Sequence, residues 1–398
     1  MKRSLAIIGG GPAGLMLAAS LDQAKFEIQI YEKNHALGRK FLVAGKGGFN
    51  LTHAEDLTSF LKRYTPTHFF EGFLKQFSNQ DLIEWLKARQ VLTYTGTSRR
   101  VFPEKGIKPI DVLNVFLKEL AQKKVKLLTR HTWLGWTPDN QLRFEHADKE
   151  FSVMPDIVVF ALGGASWKVT GSDGKWAQLF AGKGIEIEPF EASNCACAIK
   201  WPAALLHAAE GLPLKNISLR CDDKTKKGEA VITRFGLEGG AVYALSGPLR
   251  NELATKGKGV LWLDLKPEMS GEEIRKRLVS AKSTKSWSKH IQDQFRFDTG
   301  KMALLKYGLS KSDYMSADLL APLLKEFPLS IEGLAPIDEA ISTAGGIALH
   351  ELDPNNQLRK LPAHYAIGEM LSWDAPTGGY LLQGCLSMGV SLAQYLNM

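Results

Sequence analysis

The chain has 398 residues, 44% of them hydrophobic and 23% charged, the composition of a soluble globular protein long enough for two or three domains. Its four cysteines form no disulfide framework and no C-x-x-C pair, and no Cys/His set has zinc spacing, which excludes a disulfide scaffold and a zinc module and favours a reducing cytoplasm. The formal charge of +8 draws anions, whether nucleotides, nucleic acid or acidic lipid, but reads most simply as a solvated lysine-rich surface.

The opening stretch, MKRSLAIIGGGPAGLMLAAS, begins with Lys2 and Arg3 and then runs uncharged, the profile of a secretory signal peptide. The order of the residues from Leu5 to Glu32 favours a different reading. Leu5-Ala6-Ile7-Ile8 is a short apolar run bounded by glycines and reads as a buried strand. Gly9-x-Gly11-x-x-Gly14 then matches the dinucleotide-binding turn. Gly9 permits the tight turn, Gly11 lets backbone approach a pyrophosphate, and Gly14 allows close helix–strand packing. A helix-like run starts at Pro12 and extends to about Ala24, with proline suited to the first turn. Its N-terminus aims free N–H groups at phosphates. Phe26 to Tyr31 alternates as a second strand and ends at Glu32, where the fingerprint needs an acid to accept hydrogen bonds from ribose hydroxyls. A signal peptide requires none of this order. No other run reaches the roughly 18 apolar residues of a membrane span.

Two further stretches favour FAD over NAD. Gly38-Arg39-Lys40 comes after the acid, and a Gly-Arg pair there suits a two-domain flavoprotein, the arginine complementing pyrophosphate charge. Near the C-terminus, Tyr365 to Glu369 reads as a strand ending in Gly368-Glu369, which places a carboxylate beside the ribityl chain. Ala375-Pro376-Thr377-Gly378-Gly379-Tyr380 then leads into a helix from about Leu381, whose positive end stabilises negative charge on a reduced flavin ring.

Between these ends, helix-like patterns fill Leu57 to Arg89. Lys124 to Trp136 and Leu142 to Ala147 read as strands split by Pro138-Asp139-Asn140. From about Ala192 the character changes to short alternating strands, with Cys195 and Cys197 on one strand face as packing groups. A lysine-rich helical stretch comes next. The expected organisation is an FAD domain over 1–191 and 335–398, interrupted by an inserted domain over 192–334, β to about 268 and helical over about 269–334. No second G-x-G-x-x-G follows a strand, Gly163-Gly164-Ala165 being the nearest approach. If NAD(P)H is the electron donor, it visits the substrate face transiently.

The segments GRKFLVAGKGGFNLTH (Gly38–His53), RVFPEKGIKPIDVL (Arg100–Leu113), IVVFALGGASWKVTGSDG (Ile157–Gly174), ITRFGLEGGAVYALSG (Ile232–Gly247), STAGGIALHELDP (Ser342–Pro354) and AIGEMLSWDAPTGGYLLQGCLSMG (Ala366–Gly389) resemble the BaiN-like (YhiN-like) flavoproteins, within the glutathione-reductase-type FAD superfamily. The resemblance departs at Gly48-Phe49, where an Arg-Cys pair is commoner, at Ser372, where an acid is common, and at Leu381, where asparagine is common. These departures suggest a distinct subgroup and leave its substrate open. The resemblance implies an α/β, Rossmann-like, discontinuous FAD domain with an inserted β-plus-helical substrate domain. It also implies an FAD-dependent oxidoreductase acting on a small organic molecule by C=C reduction or dehydrogenation. The cofactor contacts expected from motif and resemblance together are Gly9, Gly11, Pro12, Ala13, Gly14, Glu32, Lys33, Gly38, Arg39, Lys40, Gly45, Lys46, Gly47, Asn50, Trp133, Gly163, Gly368, Glu369, Gly378, Gly379 and Tyr380. Trp133 enters because superfamily members bring backbone near that strand to the adenine. Candidates for proton transfer are His53, Arg234 and His350, the last followed by Glu351, because histidine titrates near neutrality. Lys46 is a candidate to stabilise an anionic flavin. No nucleophile triad or metal set is evident.

Two secondary readings accompany this one. An RNA-binding or RNA-modifying flavoprotein would use the lysine-rich Ser280–His290, with Trp287 stacking on a base and steep salt dependence. A flavin redox sensor would turn over no substrate.

Overall fold

The glycine-bounded apolar run at the start of the chain becomes the central strand of a parallel sheet. Strands β1 (Arg3–Ile8), β2 (Phe26–Glu32), β3 (Lys126–Thr129), β4 (Ile157–Phe160) and β5 (His364–Ala366) lie in the order β5-β4-β1-β2-β3, every neighbouring pair parallel. Parallel sheets are covered on both faces, and β4 is buried at all of its positions. The structure is a computed structural model that describes residues 1–43, 48–280 and 286–398. Its contacts divide the chain into Met1–Glu191 with Ser342–Met398, and Ala192–Ile341.

Helix α1 (Pro12–Ser20) follows β1 and is buried from Ala13 to Ala19. It stops at Ser20, short of the expected Ala24, with Leu21 extended. The stop is built around Asp22, whose side chain accepts from Ala24 N–H at 2.8 Å and whose own N–H donates to Asn397 Oδ1 at 2.9 Å. Asn397 also donates to Ser20 O at 3.1 Å, so the last helix, α2 (Tyr380–Leu396), is tied to the end of α1. The two helices approach closely at Gly389, where a Cβ would lie 2.7 Å from Ala13 O and 2.9 Å from Leu17 N.

The strand expected over Lys124–Trp136 is broken at Arg130, which adopts φ +60°. Its first half is β3. Its second half, Thr132–Trp136, opens an antiparallel three-stranded sheet with Leu142–His146 and Lys149–Val153. A second small sheet pairs Thr52–His53 and Thr93–Thr95 on either side of Arg100–Pro103. The helix-like region near Leu57–Arg89 forms helices Leu57–Leu61, Thr67–Gln76 and Asn79–Lys87.

The unit Ala192–Ile341 holds a seven-stranded sheet of antiparallel pairs, centred on the hairpin Pro213–Cys221/Lys224–Ile232. Helices such as Gly271–Val279, Thr299–Gly308 and Ala317–Lys325 pack with it around one core. The stretch expected to stay helical to residue 334 returns to strand at Phe327–Ile331, whose alternating burial has the period of two that a half-buried strand requires. Cys195 and Cys197 are buried and in no disulfide, and burial pushes the Cys197 thiol up to about 12, as suits packing groups. No described helix is long and apolar enough to cross a membrane.

Substituting Gly389→Val should force α1 and α2 apart. Overpacking of this kind costs about 1–3 kcal/mol, so the urea midpoint should fall with little change in slope. An unchanged midpoint would show that the helices separate freely.

Candidate functional site

A cavity of about 490 Å³ opens past the carboxyl ends of β1, β2 and β4. This is where the strand order reverses, the usual ligand crevice of an open α/β sheet. Its walls include the turn Gly9–Ala13, Glu32–Asn34, Gly38–Phe41, Thr132–Leu134, Ala161–Gly163, Thr170–Asp173 and Ile367–Glu369.

The three glycines of the turn do different work. Gly9 has φ +111°, and a Cβ on it would collide with the Ala161 carbonyl. A Cβ on Gly14 would strike Gly9 O, so Gly14 serves packing. Gly11 has φ −81° and ψ 179°, which any residue adopts, and nothing lies within 4 Å of a Cβ placed there. The fold therefore needs Gly9 and Gly14, whereas Gly11 leaves open space at the α1 N-terminus. That space fits a pyrophosphate taking the helix's free N–H groups.

At the far edge of the turn, Glu32 Oε2 accepts from Gly10 N–H at 2.9 Å. Its Oε1 accepts from the Asn34 backbone at 2.8 Å and from Asn34 Nδ2 at 2.7 Å. Asn34 Oδ1 in turn accepts from Arg39 at 2.8 Å. Lys33 pairs with Asp173 at 3.0 Å. Gly38 N donates to Gly10 O at 2.9 Å, and a Cβ at Gly38, φ +66°, would press into Leu113.

At the other end, Lys40 Nζ meets Glu369 at 3.0 and 3.2 Å and Ser166 Oγ at 2.8 Å. Glu369 also accepts from Thr343 N–H at 3.3 Å. Gly368 stands against Ala13, so the Glu369 carboxylate follows directly on the start of α1. Cys385 lines the same cavity, and burial pushes its thiol up to about 12, which keeps it protonated. Trp133 is also a wall residue. Its Nε1 is buried without a partner among the described residues, and so is Asn50 Nδ2. Buried donors are rarely left unpaired, so these two suit a site that receives a ligand.

The cavity gathers Gly9, Gly11, Pro12, Ala13, Glu32, Lys33, Gly38, Arg39, Lys40, Trp133, Gly163, Gly368 and Glu369. Gly378, Gly379 and Tyr380 lie outside its walls, at the start of α2. Gly378 and Gly379 have φ +118° and +98°, and a Cβ on Gly379 would run into the Thr52 backbone. Tyr380 is buried, and its phenol donates to Glu55 Oε1 at 2.6 Å. Arg63 grips Glu55 at 2.9 and 2.7 Å. Burial raises the Glu55 pKa, but the Arg63 and Tyr380 hydrogen bonds outweigh it and hold the carboxyl below its ordinary range. Gly45, Lys46 and Gly47 fall outside the described residues.

None of the three proton-transfer candidates lines the cavity. His53 stacks on Tyr380 at 5.2 Å and turns Nε2 to Ser98 O at 3.1 Å, and burial lowers its pKa. His350 is exposed, 3.2 Å from Glu186, while the neighbouring Glu351 is buried and paired with Lys360 at 2.7 Å. Arg234 belongs to the other unit, 83% exposed and 3.4 Å from Glu210. Trp287 is half-buried, and its Nε1 is spent on Tyr314 O at 2.6 Å, so the expected free stacking face is a packed side chain. Sequence reasoning did not single out Asn34, which no quoted motif contains, nor Ser166, Asp173 and Thr343, which lie within the quoted segments Ile157–Gly174 and Ser342–Pro354 but were given no role.

The chain matches the family described as "HI0933-like protein Rossmann domain" over residues 3–395. It is similar to a 3-dehydro-bile acid delta(4,6)-reductase of Clostridium scindens, 24% identical over 97% of each chain. It is also similar to a ribosomal RNA dihydrouridine synthase of Haemophilus influenzae, 23% identical over 97% of this chain and 96% of that one. Among solved structures, 3-ketosteroid delta1-dehydrogenase from Sterolibacterium denitrificans superposes over 100% of both chains with a TM-score of 0.53 at 10% identity, a likeness of fold. With its glycine turn, Glu32 and the Gly368-Glu369 strand end in place, the chain belongs to the HI0933-like family, the BaiN-like FAD-dependent oxidoreductases.

Proposed function

We propose that this protein reduces a carbon–carbon double bond conjugated to a carbonyl in a small organic molecule, using FAD seated in the cavity over Gly11. The observation that carries the cofactor is the contrast within the turn: Gly11 is unconstrained by the fold and open to a ligand, while Gly9 is constrained by the Ala161 backbone. The reaction class rests on the relatives. A delta(4,6)-reductase of a 3-dehydro bile acid and a dihydrouridine synthase both name saturation of a C=C bond conjugated with C=O.

Bound FAD supplies the two-electron chemistry. The chain's own residues bind and orient it. The α1 N-terminus takes the pyrophosphate, and Arg39 adds positive charge at the same wall. Glu32 keeps one acceptor direction, on Oε2, for a ribose hydroxyl, and Glu369, steadied by Lys40, is set for the ribityl hydroxyls. The glycine turn at the start of α2 offers backbone N–H groups to the ring. NAD(P)H is the proposed donor, entering from the substrate side because no second dinucleotide turn follows a strand.

A second reading takes uracil in RNA as the substrate, since its C5=C6 bond is conjugated to a carbonyl. The +8 charge and the dihydrouridine synthase relative favour it. One experiment separates the readings. The flavin is reduced anaerobically with NADH or NADPH, and reoxidation is followed with cyclic enones and with unmodified ribosomal RNA. Reoxidation by enones alone supports the first reading, by RNA alone the second. Reoxidation by neither, with flavin bound, would overturn the reaction class.

Gly11→Val should leave the unfolding midpoint of the apoprotein unchanged yet abolish FAD binding, seen as loss of the visible flavin spectrum. Full occupancy would overturn the assignment of the turn. Glu32→Ala removes a charged hydrogen-bonding group worth about 1.5–3 kcal/mol, so the FAD dissociation constant should rise roughly 10- to 100-fold by fluorescence titration.

A further inference from the structure

We propose that Arg100 is the positive charge that holds the reduced flavin as its anion. Arg100 opens the strand Arg100–Pro103 and pairs with His53 across the small sheet. Its Nε lies 3.4 Å from the point where a Cβ on Gly378 would stand, so the guanidinium packs against the glycine turn at the start of α2. Two other arginines of these segments are engaged: Arg63 grips Glu55 at 2.7 Å and Arg99 donates to Ala54 O at 3.1 Å. The half-buried Arg100 has no ion pair and no side-chain hydrogen bond among the described residues.

A partly desolvated guanidinium without a partner is unfavourable. Here it also meets the positive end of a seventeen-residue helix, so two positive fields converge on one spot. That arrangement becomes favourable when an anion arrives between them. Asn50 adds a second unused donor on the segment that leads into the Thr52–His53 strand, its Nδ2 buried and unpaired among the described residues. The pyrophosphate does not answer this need, because it belongs at Gly11, on the wall that carries Arg39. The group with matching chemistry is the pyrimidine edge of a flavin. On two-electron reduction it carries negative charge spread over N1 and the C2 carbonyl, acceptors for a guanidinium and an amide. The inference rests on the FAD reading above and adds to it the residue that sets the flavin's potential.

Sulfite tests this without turnover. It adds to N5 of oxidised flavin, the sulfur lone pair forming the N–S bond and the negative charge passing to N1 and the C2 oxygen. A positive charge beside that edge tightens the adduct and raises the two-electron potential. Holoprotein carrying Arg100→Gln should bind sulfite at least tenfold more weakly. Its midpoint potential should fall by the equivalent of that tenfold change, about 30 mV for two electrons. Arg100→Lys should restore most of both, and Arg99→Gln should move neither. Should Arg100→Gln lose its FAD, Arg100→His provides the readout. Its sulfite affinity should weaken, relative to the wild type at each pH, as pH rises through the histidine range. Wild-type sulfite affinity and potential in Arg100→Gln, or a pH profile for Arg100→His that parallels the wild type, would overturn the role of Arg100. A wild-type protein that binds no flavin would instead overturn the FAD reading itself.

Discussion

One carboxylate sets the geometry of the nucleotide site. Glu32, at the end of β2, holds the Gly10 N–H with one oxygen and both donors of Asn34 with the other. The glycine turn after β1 is thereby fixed to the end of β2, and through Asn34 to Arg39. The pieces that meet a dinucleotide are positioned before any ligand arrives, which lowers the entropy that binding must overcome. Each carboxylate oxygen has two acceptor directions, so the Oε2 that supports the turn retains one.

Another carboxylate, this one buried, does the equivalent for the opposite end. Glu55 is 5% exposed, and its charge is sustained by the two-pronged grip of Arg63 and by the Tyr380 hydroxyl. A lone buried charge would be several kcal/mol unfavourable; shared in this way it becomes a rivet. It clamps the segment after Thr52–His53 to the first residue of α2. That brings the Thr52 backbone so close to Gly379 that only glycine fits. His53 is part of this rivet, stacked on Tyr380 and kept neutral by burial.

How far the site was legible depends on the range of each constraint. The strand, turn, helix and acid at the start of the chain are local, each residue type dictated by neighbours within one unit of structure, and they read directly. The parallel sheet and the inserted antiparallel sheet follow from hydrophobic period. Lys149–Val153 did not read as a strand because four of its five residues are exposed and carry no alternation. The break at Arg130 depends on one backbone angle that the residue type does not announce. The partner of Tyr380 lies 325 residues away, and no spacing rule connects it to Glu55. Gly9 and Gly11 look alike in sequence; only the Ala161 carbonyl behind one and the open space before the other tell fold from function.

The interleaving of the two units bears on how the protein is made. β1 needs β4 on one side, β4 needs β5, and α1 needs α2 against it, but β5 and α2 come from Ser342–Met398, which is synthesised after the inserted unit. At roughly 5–20 residues per second, the ribosome takes on the order of ten seconds to deliver the intervening unit. Throughout that interval the first half of the nucleotide domain stands with an unpaired edge at β4 and an uncovered apolar helix, while the contiguous insert is free to fold first. A nucleotide therefore has no finished pocket to enter until Ser342–Met398 has followed the insert out of the ribosome, so loading of the site waits on the folding of a segment made well after the glycine turn.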